Sequence, residues 1–158
     1  MAKSDLPLTK IIGELDGSDA SVKEKVLETL VLGLIDLIGL HFVEWRLRPQ
    51  QTKGVEVDAL AESSHLVFHR WQIQCKDTAI VTMEDIAIEV GLTFYLKSNV
   101  IMMVTTGKFS NAAFDYVKAI KQTTNLRLIL IDNKDLHVLS SQPTAISTIL
   151  SRETKYVQ

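Results

Sequence analysis

The residues with the greatest capacity for chemistry in this chain are an aspartate and a glutamine–lysine pair. Asp58 lies in "VEVDALAES", and Gln74 and Lys76 lie in "RWQIQCKDT". Both stretches alternate apolar and polar residues, and in an extended strand alternate side chains point to opposite faces. Trp71, Ile73 and Cys75 then share one face, and Gln72, Gln74 and Lys76 the other. In the first stretch Val55, Val57, Ala59 and Ala61 face one way, while Glu56, Asp58, Leu60 and Glu62 face the other. If the two strands are neighbours, Asp58, Gln74 and Lys76 converge. A carboxylate and an amide oxygen are hard ligands suited to Mg²⁺. An ammonium group beside them can orient a water or stabilise negative charge at a phosphorus centre. The same alternation also describes a strand with one solvated face, so the pattern by itself leaves both readings open. Cys75, flanked on its face by Trp71 and Ile73, reads as a small buried hydrophobe and not a nucleophile.

The surrounding sequence supplies the elements that would hold these residues. Residues 1–18 are mixed and end in the turn signal "DGSD". "SVKE" has the form of a capping box, with Ser21 as N-cap and Glu24 three residues on. Val26, Leu27, Leu30, Val31, Leu34, Ile35 and Ile38 then recur at helical spacing, which predicts an amphipathic helix over 21–39 ending at Gly39. "HFVEWRLR" and "VEVDALAES", separated by the turn-prone "PQQTKG", suggest an antiparallel pair, with "HLVFHRWQIQCK" as a third strand. A second helix is expected over 82–97, with Gly91 as its weak point, and a third over "SNAAFDYVKAIKQ", with Ser110 as N-cap. "NVIMMVTT" and "LRLILID" are continuous apolar runs typical of central strands buried on both faces. "SQPTAISTILSR" reads as a short terminal helix. The order predicts an α/β sandwich with a central mixed β-sheet flanked by helices.

Composition sets outer bounds. At 158 residues, 46% hydrophobic and 23% charged, the chain has the size and balance of one globular domain. A single cysteine excludes an internal disulfide framework and a cysteine-based zinc site, and fits a reducing cytosol. The most apolar run, "LVLGLIDLIGL", is too short to span a bilayer and carries Asp36, so no membrane association and a cytoplasmic location are expected. The net charge of −2 lacks the basic excess common in nucleic-acid proteins. Any such binding requires a local basic surface.

"GVEVDALAE" followed by "WQIQCKD" resembles the core of the PD-(D/E)xK nuclease superfamily. Within it the chain is similar to the Mrr-like restriction endonucleases, in which glutamine replaces the acidic residue before the lysine. "LETLVLGLIDLIGLHF" is similar to that family's opening helix, "VTTGKFSNAAFDYVKA" to a later strand, turn and helix, and "LRLILIDNKDL" to its final strand and turn. The resemblance covers residues 21–139, with 1–20 as an N-terminal extension and 140–158 as a C-terminal helix or tail. It implies a restriction-endonuclease-like fold and Mg²⁺-dependent cleavage of phosphodiester bonds in DNA, with Mn²⁺ as a possible substitute. It implies that Asp58, Gln74 and the backbone carbonyl of Cys75 bind the metal, that Lys76 is the catalytic lysine, and that Glu28 is the helix glutamate that joins the site. One departure is visible: the family's G-x-x-G-x-D approach becomes Gly54, Val55, Glu56, Val57, Asp58, which adds a negative charge on the aspartate's face.

Several other groups bear on the same reading. The four histidines His41, His65, His69 and His137 show no metal-ligand spacing. "TTGKFS" resembles a phosphate-cradling turn before a helix, with Lys108 and Ser110 as candidate DNA phosphate contacts. Arg46, Arg48 and Lys53 are either further phosphate contacts or solvated charges. The leading expectation is an endonuclease acting as a homodimer or as the cleavage unit of a larger complex. The alternative is a catalytically inactive nuclease-fold module for nucleic-acid binding or protein assembly.

Overall fold

The structure is a computed structural model that describes residues 8–15, 19–47, 57–63 and 69–154. Two helices, α1 (Leu8–Leu15) and α2 (Ala20–Ile38), lead into three strands, β1 (His41–Leu47), β2 (Val57–Ser63) and β3 (His69–Lys76). A short strand β4 (Ile80–Val81) precedes α3 (Met83–Leu96). Then come β5 (Val100–Thr105), β6 (Lys108–Phe109), α4 (Asn111–Thr123) and β7 (Arg127–Ile131). The described chain closes with α5 (Asn133–Ser141), a 3₁₀ turn at Pro143–Ala145 and α6 (Ile146–Thr154).

The main sheet has the order β1-β2-β3-β5-β7. β1, β2 and β3 pair antiparallel, and β5 and β7 continue parallel to β3. This is the mixed sheet expected from the sequence. β5 is its buried interior strand, and Val100–Thr105 is buried throughout. β7 is an edge strand: Leu128–Ile131 are buried because helices cover both of its faces, which an apolar run cannot distinguish from a central position.

Side-chain alternation sends the apolar side chains to both faces of the sheet, with a small third cluster of Leu60, Leu92 and Leu96 among the described residues. On one face Ala59, Ala61, Ile73, Met102, Val104 and Ile131 meet α1, α2, α5 and α6. On the other face Ile101, Met103, Leu128 and Leu130 meet Ile86 of α3 and Ala113 and Val117 of α4. α2 is amphipathic as predicted: Leu30 and Leu34 are fully buried, each worth roughly 1.5–3 kcal/mol relative to exposure. It ends where Gly39 takes a left-handed conformation with φ 77°, while the Leu40 N–H reaches the Ile35 carbonyl at 2.9 Å.

Three local expectations change. α2 begins earlier than its predicted capping box, and Asp19, not Ser21, is the N-cap; the Asp19 carbonyl accepts from Val22 and Lys23 at 2.9 Å, and the Asp19 side chain makes no cap hydrogen bond among the described residues. The N-terminal stretch contains α1, whose Ile11, Ile12 and Leu15 are buried against the core. Leu8, Ile11, Ile12 and Leu15 stand at helical spacing, a short pattern passed over when residues 1–18 are read only as mixed. The turn expected after the last strand is instead α5, started by a reciprocal capping box between Asp132 and Asp135. The third strand is described from His69 to Lys76, and the first residues of the expected run, 65–68, lie outside the described residues.

Candidate active site

The site forms where β2 and β3 part. Their ladder pairs Ser63 with His69 and runs to Ala59 opposite Ile73. At the next step Asp58 supplies a side chain in place of backbone: its Oδ2 accepts the Cys75 N–H at 2.6 Å. This charge-assisted bond satisfies a strand donor and fixes the carboxylate beside Gln74 and Cys75. The Asp58 neighbours Ala59 and Ala61 turn into the opposite core.

Gln74 is buried, at 8% exposure. Its Nε2 lies 3.5 Å from the Cys75 carbonyl, and its Oε1 is buried with no hydrogen-bond partner among the described residues. A buried acceptor left unpaired costs roughly 1–3 kcal/mol, so this oxygen is a site that a cation would satisfy. Lys76 is about one-third exposed, and its Nζ stands 3.5 Å from Asp85 Oδ1 at the start of α3. The Lys76 carbonyl accepts from the Thr105 hydroxyl at 2.9 Å and the Thr106 N–H at 3.3 Å, which fastens the end of β3 to the turn after β5.

Cys75 packs with Trp71 and Ile73 against the α2 side of the sheet. Burial pushes its thiol well above the ordinary range, with the Asp58 and Glu28 charges adding to the effect. A thiol held protonated in this way is a poor nucleophile, so only the backbone of Cys75 is available to the site. Glu28 is partly buried on α2.

α3 contributes groups that the sequence reading missed. Gln72 is fully buried; its Nε2 donates to the Glu89 carboxylate and, at 3.1 Å, to the Glu89 carbonyl, while its Oε1 accepts from Ser98 Oγ at 2.8 Å. Burial raises the Glu89 carboxyl to about 7 against the pull of Gln72 and Lys76, and the Asp58 and Asp85 charges push it further up. Asp85 behaves oppositely. Burial pushes it up, but the Thr82 N–H, the Thr82 hydroxyl and Lys76 outweigh that and hold it below the usual carboxylate value. The sequence signal marks only a helix start: Thr82 and Asp85 have capping-box spacing, and Glu89 follows one turn after Asp85. On an otherwise amphipathic helix such acids look like solvated surface.

The turn at 105–110 is tied closely to the protein. The backbone N–H groups of Thr106, Gly107, Lys108 and Ser110 donate to Lys76, the Thr105 hydroxyl, Ala79 and Val81 respectively. These amides are consumed by the fold and do not cradle a phosphate. Ser110 Oγ accepts the Ala113 N–H at 3.1 Å as the predicted N-cap, and Lys108 is exposed. A side chain on Gly107 would place its Cβ 2.1 Å from the Thr78 carbonyl oxygen, so glycine is required there. His69 serves the structure, with Nδ1 3.0 Å from Asn99 Nδ2. Arg46 lies on β1, whereas Arg48, Lys53, Gly54 and Glu56 lie outside the described residues.

Among the described residues no three His, Cys, Asp or Glu side chains group as a metal cluster. The donor set at the strand fork is different: one carboxylate, one unpartnered amide oxygen and one backbone carbonyl. All three are hard oxygens of the kind Mg²⁺ takes, so the residues fit such an ion. Among the described residues no helix is long and apolar enough to cross a membrane.

The strand order, the flanking helices and the polar fork between β2 and β3 define a restriction-endonuclease-like α/β domain. A family model described as restriction endonuclease, the Mrr catalytic domain, matches residues 20–139, and the chain belongs to that family. Among curated proteins none matches. Two solved structures share the fold. One is a protein of unknown function, AF1548, at 17% identity and TM-score 0.54, covering 80% of this chain and 65% of its own. The other is the DNA modification-dependent restriction endonuclease AspBHI, at 15% identity and TM-score 0.52, covering 93% of this chain and 38% of its own. The chain thus spans less than two-thirds of either structure.

Proposed function

We propose that this chain is a metal-dependent endonuclease that hydrolyses phosphodiester bonds in DNA. The observation that carries the reading is the buried, unpartnered Gln74 Oε1 at the fork where Asp58 is fastened to the Cys75 N–H. Family membership supports nuclease chemistry, and the AspBHI likeness supports DNA as the substrate. Asp58, Gln74 Oε1 and the Cys75 carbonyl would hold Mg²⁺, or Mn²⁺ in its place, with Glu28 as the further carboxylate from α2. When bound, the ion supplies Lewis-acid polarisation of the phosphate and acidifies a water. Lys76 donates from its ammonium to the attacking water and to the charge that develops on the phosphate oxygens. Lys108, Arg46, Arg48 and Lys53 meet the DNA backbone, where such contacts position the duplex without reading its sequence. Two copies, or one copy within a larger assembly, would cut both strands.

Metal-dependent melting tests the site. Ligand binding to the native state alone raises stability by about 2.7 kcal/mol at one hundred times Kd. Mg²⁺ and Mn²⁺ are expected to raise the melting temperature of the wild-type protein and leave Asp58→Asn unmoved. Equal shifts in both proteins, or none in the wild type, contradict the assignment.

A further inference from the structure

We propose that Asp85 is a positioning residue that holds the ammonium of Lys76 in place for catalysis, an inference that rests on the nuclease reading. The backbone of Lys76 is already fixed, because its carbonyl accepts from Thr105 and Thr106. What remains free is a four-carbon stem with many rotamers, ending in a point charge. Asp85 is built to restrain that end. Its Oδ2 is taken by the capping box, accepting from the Thr82 N–H at 2.9 Å and the Thr82 hydroxyl at 3.1 Å. Its Oδ1 is left to face Lys76 Nζ at 3.5 Å. The two oxygens divide the work: one holds the carboxylate to the helix start, and the other presents charge to the lysine.

The platform beneath Asp85 is itself anchored. Just before α3, Val81 is fully buried and pairs with Phe109, and the Ser110 N–H reaches the Val81 carbonyl at 3.0 Å. A functional side chain supported by a fixed second partner on a packed element is held to the narrow tolerance that catalysis needs. Asp85 is one-quarter exposed and stays ionised, so its charge is present when the lysine needs it.

The competing explanation is that Asp85 only caps α3, and the variants can separate the two roles. Both Glu and Gln satisfy a capping box at this position, but only Glu keeps the charge. Asp85→Gln should keep the wild-type melting temperature, KM for DNA and Mg²⁺ half-saturation, while kcat falls about tenfold to a hundredfold, the range seen when outer-shell partners are lost. Asp85→Glu should recover most of the lost kcat. If Asp85→Gln melts lower, rates taken well below both transitions, with Asp85→Glu as the cap-matched reference, still separate the effects. Wild-type kcat in Asp85→Gln overturns the inference and leaves the nuclease reading intact. A wild-type protein that cuts no DNA with any divalent metal overturns the nuclease reading, and this inference with it.

Discussion

On one face of β3, Trp71, Ile73 and Cys75 press into a core shared with α2, α5 and α6, and the requirement there is shape. On the opposite face Gln72, Gln74 and Lys76 each have a specific polar circumstance: a closed network with Glu89 and Ser98, an unpartnered oxygen, and an ammonium facing Asp85. The first face is filled by bulk, and neighbouring side chains can partly relax around a loss. The second is specified atom by atom. Stability should therefore depend mainly on the first face and chemistry on the second.

The largest stability effect should come from the apolar face. Ile73 is 1% exposed, and Ile73→Ala should cost about 2–5 kcal/mol through lost burial and the cavity left behind. Denaturant unfolding will measure it, and a cost under about 1 kcal/mol would break the distinction between the faces. The next effect is on pH dependence. The proton on Glu89 is held more tightly in the folded protein, since its carboxyl rises from 4.5 to about 7. The stability it contributes is complete below about 4.5 and is lost as pH rises towards 7. Glu89→Gln keeps an acceptor for Gln72 and removes the charge, so its stability should decline less across that interval; parallel curves for the two proteins would exclude the effect. The smallest change should come from Gln74→Leu. Without metal it removes a buried, unsatisfied oxygen, so it should stabilise the protein by about 1 kcal/mol, while the melting shift with Mg²⁺ disappears. Loss of stability in the metal-free state would mean that the amide is a structural group.

Much of this contrast is legible in the sequence because strand parity maps residues directly onto faces. The alternation through 71–76 separated Ile73 from Gln74 correctly, and the expected pairing of the two strands brings Asp58 to the β3 backbone at Cys75. The apolar stripe and Gly39 gave the extent of α2 apart from its first turn. What sequence reading missed depends on tertiary partners. Asp85 and Glu89 become part of the site only because α3 lies over the polar face of β3, and nothing local separates them from solvated helix acids. The amides of the 105–110 turn looked available in sequence, yet the ends of β3 and β4 take them up. α1 was different: Leu8, Ile11, Ile12 and Leu15 do carry a helical period, short but readable, and its apolar side packs on α2 and α5.

The central claim is that the fork holding Asp58, Gln74 and Lys76 cuts DNA. It is tested most directly by incubating supercoiled plasmid with the wild-type protein, Asp58→Ala and Lys76→Ala, in Mg²⁺ and in Mn²⁺. The wild type should convert the plasmid to nicked or linear forms only with metal, and each variant should be slower by at least about a hundredfold while keeping its fold. Cleavage by either variant at the wild-type rate, or none by the wild type with either ion, would contradict the account.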